Sequence, residues 1–260
     1  MTKIYSSFVS FMLIILTSGC DIKTEHITFS KVYIENISKD STLSVRALDY
    51  NKEYVFYGSS GHFGKIALKP ELKINPSELN FSRGYHHKKF QFKKENGSLM
   101  NFRAVAQVNG DMFALSIESP TRLYKLKRKA ERAKLVYEET HPKAFYNALN
   151  FWNENEGIAI GDPTNDCLSI IITRDAGESW HKIPCDMLPK TRESEAAFAA
   201  SNTNITIIDK KTWIATGGKS SRVLFSPDKG LSWTFYETPI IQNEPTTGMY
   251  SIDFYDEKHG

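Results

Sequence analysis

The chain has 260 residues, enough for one large β domain or two smaller domains. A hydrophobic content of 40% and a charged content of 24% are ordinary for a globular protein. The formal net charge of +3 is too small to indicate nucleic-acid binding, and no P-loop or dinucleotide fingerprint is present. We therefore expect no nucleic-acid partner and no cofactor.

Residues 1–19 have the pattern of a bacterial lipoprotein signal peptide. Lys3 supplies a short basic region, a mostly apolar run extends from Ile4 to Leu16, and small residues precede Cys20. The run is short for a membrane span, which needs about 20 residues. Thr17 stands where such signals usually have leucine, so a plain secretory signal is the alternative. We expect a lipid on Cys20 and a membrane-anchored protein outside the cytoplasm, facing the periplasm or on the cell surface.

Residues 20–42 include a segment of high β propensity, from Ile27 to Ile34, and from residue 43 a series of similar β repeats begins. Innermost strands are predicted to begin near Ser44, Asn101, Phe145, Phe198 and Tyr250. Second strands are predicted at Tyr54–Gly58, Met112–Ser116, Ile158–Gly161 and Thr212–Gly217. Third strands are predicted to begin at Gly64, Arg122, Leu168 and Arg222. The spacing averages about one propeller blade of 40–50 residues plus loops.

One eight-residue turn motif, S/T-x-D-x-G-x-x-W, occurs twice about 53 residues apart. Its residues are Thr173, Asp175, Gly177 and Trp180 in the first copy and Ser226, Asp228, Gly230 and Trp233 in the second. The aspartate can accept hydrogen bonds from turn N–H groups, glycine tolerates positive φ, and tryptophan offers an apolar face to the gap between blades. The motif indicates architecture rather than chemistry, because the turn occupies the carboxylate.

The first two repeats have other residues where this turn should be: Lys69–Lys73 in one and Lys125–Arg132 in the other. The second stretch is strongly basic, which fits a solvated turn or an anion-binding patch. Cys167 and Cys185 flank the first turn motif almost symmetrically. This spacing fits either a cross-strand disulfide or two half-buried free thiols. Two cysteines without companion ligands do not predict a metal site.

The sequence thus predicts an all-β fold, a β-propeller of four-stranded blades over residues 43–260. The strand near Phe29 would close the ring. Asp253–Gly260 repeats Asn150–Gly157 and stops at the turn, so we expect an incomplete ring. About four blades and the start of a fifth are present, where six or seven are usual.

These motifs resemble the Asp-box, or BNR, repeat of sialidase-like propellers. The chain as a whole resembles bacterial Asp-box lipoproteins related to photosystem II assembly and stability factors. The resemblance covers residue 43 to the end and rests also on Ser44–Leu48, Asn101–Val105, Asn150–Pro163, Glu195–Ala200 and Thr212–Gly218. It implies a propeller that serves mainly as a binding or assembly surface. Bacterial members are often called oxidoreductases, but these residues offer no physical basis for that activity.

Arginines at repeated positions are the candidate ligand-binding residues. Arg46 and Arg103 occupy the same place in two innermost strands, and guanidinium groups suit carboxylates and phosphates. Salt bridges to Asp49 or Asp111 are the structural alternative. The channel candidates are Arg46, Arg103, Arg122 and Arg222, and the candidates in loops between second and third strands are Glu118, Asp162 and Lys219.

Function is expected to be non-catalytic, with an unknown protein or an acidic carbohydrate as ligand. The alternatives are a sialidase-like glycoside hydrolase acting on acidic sugars and an inactive truncated fragment. No Tyr/Glu pair can be assigned as nucleophile and base, and Glu193 and Glu195 beside a loop are no proof of glycosidase chemistry. We therefore assign no catalytic residue from the sequence.

Overall fold

The computed structural model describes residues 31, 34–69, 71–75, 80–198 and 202–260. From Asn36 onward these residues belong to one compact unit. The predicted signal peptide, Cys20 and the strand near Phe29 lie outside the described residues. Within them the regular structure is β-strand, apart from a short 3-10 turn at Cys185–Met187. No helix in this part of the chain has the length and apolar character needed to cross a bilayer.

Four antiparallel sheets of four strands follow one another along the chain, and each sheet is one blade of the predicted propeller. Blade one contains β1 Val45–Tyr50, β2 Tyr54–Ser59, β3 His62–Ala67 and β6 His87–Gln91. Blade two contains β7 Phe102–Val108, β8 Asp111–Ser116, β9 Thr121–Leu126 and β10 Lys134–Glu139. Blade three contains β11 Tyr146–Phe151, β12 Gly157–Gly161, β13 Ser169–Thr173 and β14 His181–Lys182. Blade four contains β16 Ile205–Ile208, β17 Lys211–Ala215, β19 Arg222–Ser226 and β20 Thr234–Glu237.

The core lies between blades rather than inside them, because both faces of each four-stranded sheet carry apolar side chains. Phe56, Phe63, Phe102, Val105 and Met112 fill the gap between blades one and two. Phe113, Leu115, Tyr146, Ile171 and Trp180 fill the gap between blades two and three. Ile158, Ile160, Ile170, Ile205 and Leu224 fill the gap between blades three and four. The blades therefore stack in sequence order, as expected for the propeller fold, which this arrangement of sheets confirms.

Three regions differ from the predicted blades. Where blade one was expected to turn at Lys69–Lys73, the chain forms a separate hairpin of β4 Glu71–Asn75 and β5 Asn80–Gly84. The innermost strand of blade four does not begin at Phe198. A short pair, β15 Glu195–Ala196 with β18 Gly217–Gly218, comes first, and the strand resumes at Ile205. No strand is assigned to the described residues 250–260, where the start of a fifth blade was expected.

Candidate functional site

The two repeated turns use their aspartates to hold the turn itself. Asp175 Oδ1 accepts hydrogen bonds from Ser179 N at 3.0 Å and from the Thr173 hydroxyl at 2.8 Å, while Asp175 Oδ2 accepts from the Ser179 hydroxyl at 2.6 Å. Gly177 N donates to Thr173 Oγ1 at 2.9 Å with φ of +75°, which glycine adopts without strain. Burial alone would raise the pKa of Asp175, but the bonds from Ser179 and Thr173 lower it to about 2.

The second turn has the same geometry. Asp228 accepts from Ser232 N at 2.8 Å, from the Ser232 hydroxyl at 2.6 Å and from the Ser226 hydroxyl at 2.9 Å. Trp180 and Trp233 then enter the gaps between blades, as their position in the motif predicts. Both aspartates are therefore fully engaged in turn structure and are not available for chemistry. The serine at the seventh position of each copy is a fixed feature that the motif, as read from the sequence, did not include.

The innermost strands of blades one, two and three share a β-bulge at one position. In β1 the pairing with β2 shifts between Val45 and Ala47, so Arg46 is the extra residue. Arg103 in β7 and Asn147 in β11 are the extra residues of matching bulges. A bulged residue is left out of the ladder and its side chain is aimed differently from those of its neighbours. Three consecutive blades therefore present one re-aimed polar side chain each from the strand nearest the propeller axis.

Asp49 and Asp111, the predicted partners of these arginines, are bound elsewhere. Asp49 accepts from the backbone N–H groups of Tyr50 and Gln107, each at 2.7 Å, and burial raises its pKa. Asp111 accepts from the backbone N–H of Arg128 at 2.8 Å and lies 3.5 Å from Lys125 Nζ.

Arg46 and Arg103 keep their guanidinium groups free of ion pairs within the described part of the chain. Arg46 is exposed and lines a cavity of about 270 Å³ with Val45, Ala47, Leu48 and Thr203, whereas Arg103 is half-buried. The structural alternative, in which these arginines pair with Asp49 or Asp111, is therefore wrong.

Asn147 and Asp162 form the polar contact at the third bulge. Asn147 Nδ2 donates to Asp162 Oδ1 at 2.9 Å, and Ala197 N donates to the same oxygen at 3.0 Å. Burial raises the pKa of Asp162 to about 6, against the lowering effect of these two bonds. Asn147 is fully buried, and its Oδ1 has no hydrogen-bond partner among the described residues. Asp162 thus ties the loop after β12 to the segment that leads into blade four.

Arg222 requires a correction, because the structure does not place it in the channel. It lies on β19, two strands away from the innermost strand, and only 2% of it is exposed. Its Nε and Nη2 donate to the two carboxylate oxygens of Glu195 at 3.0 and 2.6 Å, and Nη2 also donates to the Lys190 carbonyl at 2.8 Å. This buried, hydrogen-bonded pair ties the connection from blade three to blade four and leaves the guanidinium group with no access to a ligand.

Arg122 also lies away from the innermost strand, on β9, but it remains accessible. Its Nε donates to Glu138, and the guanidinium lines a cleft of about 410 Å³. Glu118 does not line this cleft, but it accepts a hydrogen bond at 2.8 Å from Nζ of Lys94, which does. The predicted channel residue Arg122 thus belongs to a charged cleft on the outer part of blade two, and the predicted loop residue Glu118 pairs with Lys94 of that cleft.

The remaining predicted residues are dispersed. Lys219 forms an exposed ion pair with Glu193 at 3.0 Å. Cys167 and Cys185 are joined by a disulfide with their Cα atoms 5.5 Å apart, which ties the start of β13 to the 3-10 turn after β14. Within the described residues no group of three or more His, Cys, Asp and Glu side chains is arranged to hold a metal ion.

A tyrosine–glutamate contact that sequence reasoning did not find lies between blades two and three. Glu139 Oε2 accepts from the hydroxyls of Tyr146 at 2.8 Å and Tyr137 at 3.0 Å, and Lys182 Nζ donates to Glu139 Oε1 at 2.6 Å. Burial raises the pKa of Tyr146 far above its usual value and that of Tyr137 to about 12. Tyr137 and Glu139 belong to blade two and Tyr146 and Lys182 to blade three, so only the packing of the two blades brings them together.

Comparison with known proteins gives weak structural similarities. No family model and no curated protein matches the chain. The crystal structure of the computationally designed Ika4 protein matches at 11% identity and a TM-score of 0.41, over 79% of this chain and 99% of that one. YCF48 bound to D1 peptide matches at 8% identity and a TM-score of 0.39, over 78% of this chain and 87% of that one.

A puromycin-hydrolyzing peptidase of Mycobacterium tuberculosis matches at 9% identity and a TM-score of 0.37, over 80% of this chain and 48% of that one. At TM-scores this low, the three similarities carry no weight for a shared function. The fold assignment rests on the four sheets and the clusters between them.

Proposed function

We propose that the protein is a non-catalytic binding or assembly factor, a propeller that holds an anionic group of a protein partner with Arg46 and Arg103. The supporting observation is that both arginines stand at matching bulges of neighbouring innermost strands and that neither forms an ion pair within the described residues. A guanidinium group presents several N–H donors in a planar fork that matches a carboxylate. Two such groups on one rigid scaffold suit recognition of an acidic group better than they suit structural pairing.

The scaffold around these arginines favours binding with little rearrangement. Ala47 and Ala104, which follow the two arginines, are buried in the packing between blades, and Phe102 before Arg103 is fully buried. Each arginine is therefore carried on a backbone that the apolar core holds in place. Preorganisation of this kind lowers the entropic cost of binding a partner.

We further propose that the protein is an extracytoplasmic lipoprotein anchored through Cys20 and a member of the Asp-box propellers. The signal-like pattern of residues 1–20 supports the anchor. The identical hydrogen bonding of Asp175 and Asp228 supports the Asp-box assignment. Mass spectrometry of the mature N-terminus tests the anchor: a diacyl or triacyl cysteine is expected, and an unlipidated product that starts elsewhere would contradict it.

Binding to defined acidic ligands tests the main proposal. The protein would be applied to an array of acidic peptides and an array of sialylated and uronic-acid glycans, beside the double variant Arg46→Gln/Arg103→Gln. We expect binding to acidic peptides, weakened about a hundredfold or more by the double variant, since hydrogen bonds to charged groups contribute roughly 1.5–3 kcal/mol each.

The control is Arg128→Gln, which removes an exposed arginine that pairs with Glu53 and should bind the peptides like the wild type. Peptide binding that is equal in the wild type and the double variant would overturn the assignment of the two arginines. Binding to glycans alone would favour the carbohydrate alternative over a protein partner.

A sialidase-like hydrolase is the alternative that the same arginines would serve. The Tyr146–Glu139 hydrogen bond is the contact closest to the required chemistry. Burial of Tyr146 and its raised pKa make it a poor nucleophile near neutral pH, and Lys182 already neutralises Glu139. Release of 4-methylumbelliferone from its α-sialoside distinguishes the two: turnover that is lost in Tyr146→Phe would establish the hydrolase.

A further inference from the structure

Arg122 and Arg222 occupy the same position in blades two and four. The backbone N–H of Arg122 donates to the Ser116 hydroxyl at 2.8 Å, and that of Arg222 donates to the Thr216 hydroxyl at 2.9 Å, in each case six residues earlier. Arg122 pairs across the ladder with Glu138, and Arg222 pairs with Glu237. These two contacts match, so the surroundings of the two guanidinium groups can be compared directly.

In blade four a carboxylate fills the space beside the arginine. Glu195 comes from the connection between blades three and four and accepts two hydrogen bonds from Arg222. The Thr216 hydroxyl donates to Glu195 Oε1 at 2.7 Å, and Arg192 N donates to Oε2 at 2.9 Å. Glu237, which is opposite Arg222 in the ladder, forms an ion pair with Arg192 instead, with Arg192 Nη2 2.5 Å from Glu237 Oε1. The blade thus contains a complete carboxylate site that the chain itself occupies.

In blade two the corresponding space is open. The connection between blades one and two supplies Lys94 and Asn96 where blade four receives Glu195, and a cleft of about 410 Å³ remains beside the guanidinium. The guanidinium of Arg122 donates to Glu138 through Nε and is hydrogen-bonded to Tyr124, and the Arg122 side chain is 18% exposed against 2% for Arg222. The residues facing the cleft are Lys94, Glu95, Asn96, Ser119, Pro120, Arg122, Glu138 and Thr140.

We propose that this cleft binds a carboxylate group of a separate molecule, in the place that Glu195 takes beside Arg222. The Nη side of the Arg122 guanidinium supplies charged donors, and the hydroxyl of Thr140 supplies a neutral donor beside it, while the Ser119 hydroxyl is already bonded to the Thr140 carbonyl. The site does not include Arg46 or Arg103, so a test of this site is independent of the proposed function.

The acidic residues around the cleft set its selectivity. Glu118 is paired with Lys94, and Glu138 is paired with Arg122, so the cleft contains equal numbers of paired cations and anions. Glu95 adds one further negative charge at the rim. Glu95 and Glu138 would repel a polyanion, so the guanidinium donors of Arg122, rather than the net charge of the cleft, would hold a ligand with a single carboxylate. Single acidic side chains of a peptide and single uronic acids share this chemistry.

Saturation-transfer NMR with acetyl-glutamate amide and with glucuronate tests the site on the full chain. We expect saturation transfer to at least one probe, and the one that binds identifies a peptide or a sugar source. Arg122→Gln should weaken binding about tenfold, in line with the loss of a charged hydrogen bond. The control Arg128→Gln, which removes an exposed arginine paired with Glu53, should bind like the wild type.

A second variant covers the case in which Arg122→Gln perturbs folding. Thr140→Glu adds a carboxylate inside the cleft while leaving the Arg122–Glu138 pair intact. The new carboxylate should occupy the cleft and exclude the probe, in the way that Glu195 occupies the site beside Arg222. Thr140→Gln, of equal size but uncharged, should bind the probe more tightly than Thr140→Glu. Absence of transfer to the wild type, or equal binding by Thr140→Glu and Thr140→Gln, would overturn the site. Retained probe binding in Arg46→Gln/Arg103→Gln would separate this cleft from the proposed channel site.

Discussion

Lys125 of blade two donates from Nζ to the backbone carbonyl of Ala176 at 2.7 Å, in the middle of the first repeated turn of blade three. The lysine is 4% exposed, and its Nζ also lies 3.0 Å from Glu178 and 3.5 Å from Asp111. A buried ammonium is tolerated only when its donors and charge are matched. The contact therefore joins two blades at their turns.

The same relationship recurs between other neighbouring blades. Lys65 of blade one donates to the Arg128 carbonyl in the β9–β10 turn at 3.1 Å, and Arg174 of blade three donates to the Lys229 carbonyl in the second repeated turn at 2.6 Å. In each case a cation reaches the turn of the following blade. The turns thus hold the propeller together across blades as well as closing their own hairpins.

Replacing Lys125 with methionine should lower the free energy of unfolding by roughly 1–3 kcal/mol, because the Ala176 carbonyl and Glu178 lose a charged donor. Lys127→Met is the matched control. Lys127 also pairs with Glu178, but it is 62% exposed, and its loss should change stability by about 0.5 kcal/mol or less. Urea unfolding followed by tryptophan fluorescence measures both. Equal effects of the two substitutions would contradict a special role for the buried lysine.

Asp175→Ala and Asp228→Ala should each destabilise the fold by about 1–3 kcal/mol, because the turn donors lose their acceptor. Asn at either position retains one acceptor oxygen and should cost less. The lowered pKa of Asp175 predicts stability that is full above the unfolded value of about 3.9 and lost as pH falls toward about 2. Thermal unfolding of the variants at several pH values checks this. A variant that folds normally but loses ligand binding would show that the aspartates are functional instead.

Asp162→Asn should make the protein more stable at neutral pH relative to the wild type. The folded pKa of about 6 lies above the unfolded value of about 3.9, so the folded state binds a proton more tightly. Stability of the wild type therefore falls as pH rises from about 4 to 6, by about 3 kcal/mol at most, and the variant lacks this loss. Urea midpoints of both proteins between pH 4 and 7.5 measure the difference. Asp166→Asn, on the exposed part of the same loop, is the control, and parallel profiles for Asp162→Asn and the wild type would refute the burial argument.

Reducing the Cys167–Cys185 disulfide should lower the free energy of unfolding by about 3 kcal/mol, the entropy expected for closing a loop of this size. The two cysteines are 18 residues apart in sequence. The measurement is the urea midpoint with and without dithiothreitol. Dithiothreitol should leave the Cys167→Ala/Cys185→Ala variant unchanged, and an unchanged wild-type midpoint would show that the bond adds no stability.

Blade order, strand positions and the repeated turns could be predicted from the sequence because they depend on local patterns. Alternating apolar residues and the S/T-x-D-x-G spacing act within about ten residues of chain, and each produced the expected strand or turn. The predicted strand start at Phe198 was wrong because Asn202 leaves the blade. Asn202 bridges β7 and β11 by accepting from Leu149 N at 2.7 Å and donating to the Val105 carbonyl at 3.0 Å. No local sequence pattern predicts such a contact between blades.

The sequence by itself determined the repeat, and with it that Arg46 matches Arg103 and that Arg122 matches Arg222. Only the tertiary structure decided which of these matched arginines is accessible to a ligand and which is buried in an ion pair. Arg222 is closed off by Glu195, which the connection from blade three brings to it, whereas Arg122 faces a cleft because the connection from blade one brings Lys94. Equivalent positions in a repeat share a backbone, but neighbouring segments set the charge and exposure around them. For that reason the strands of each blade could be predicted from the sequence, whereas the surroundings of the candidate site residues could not.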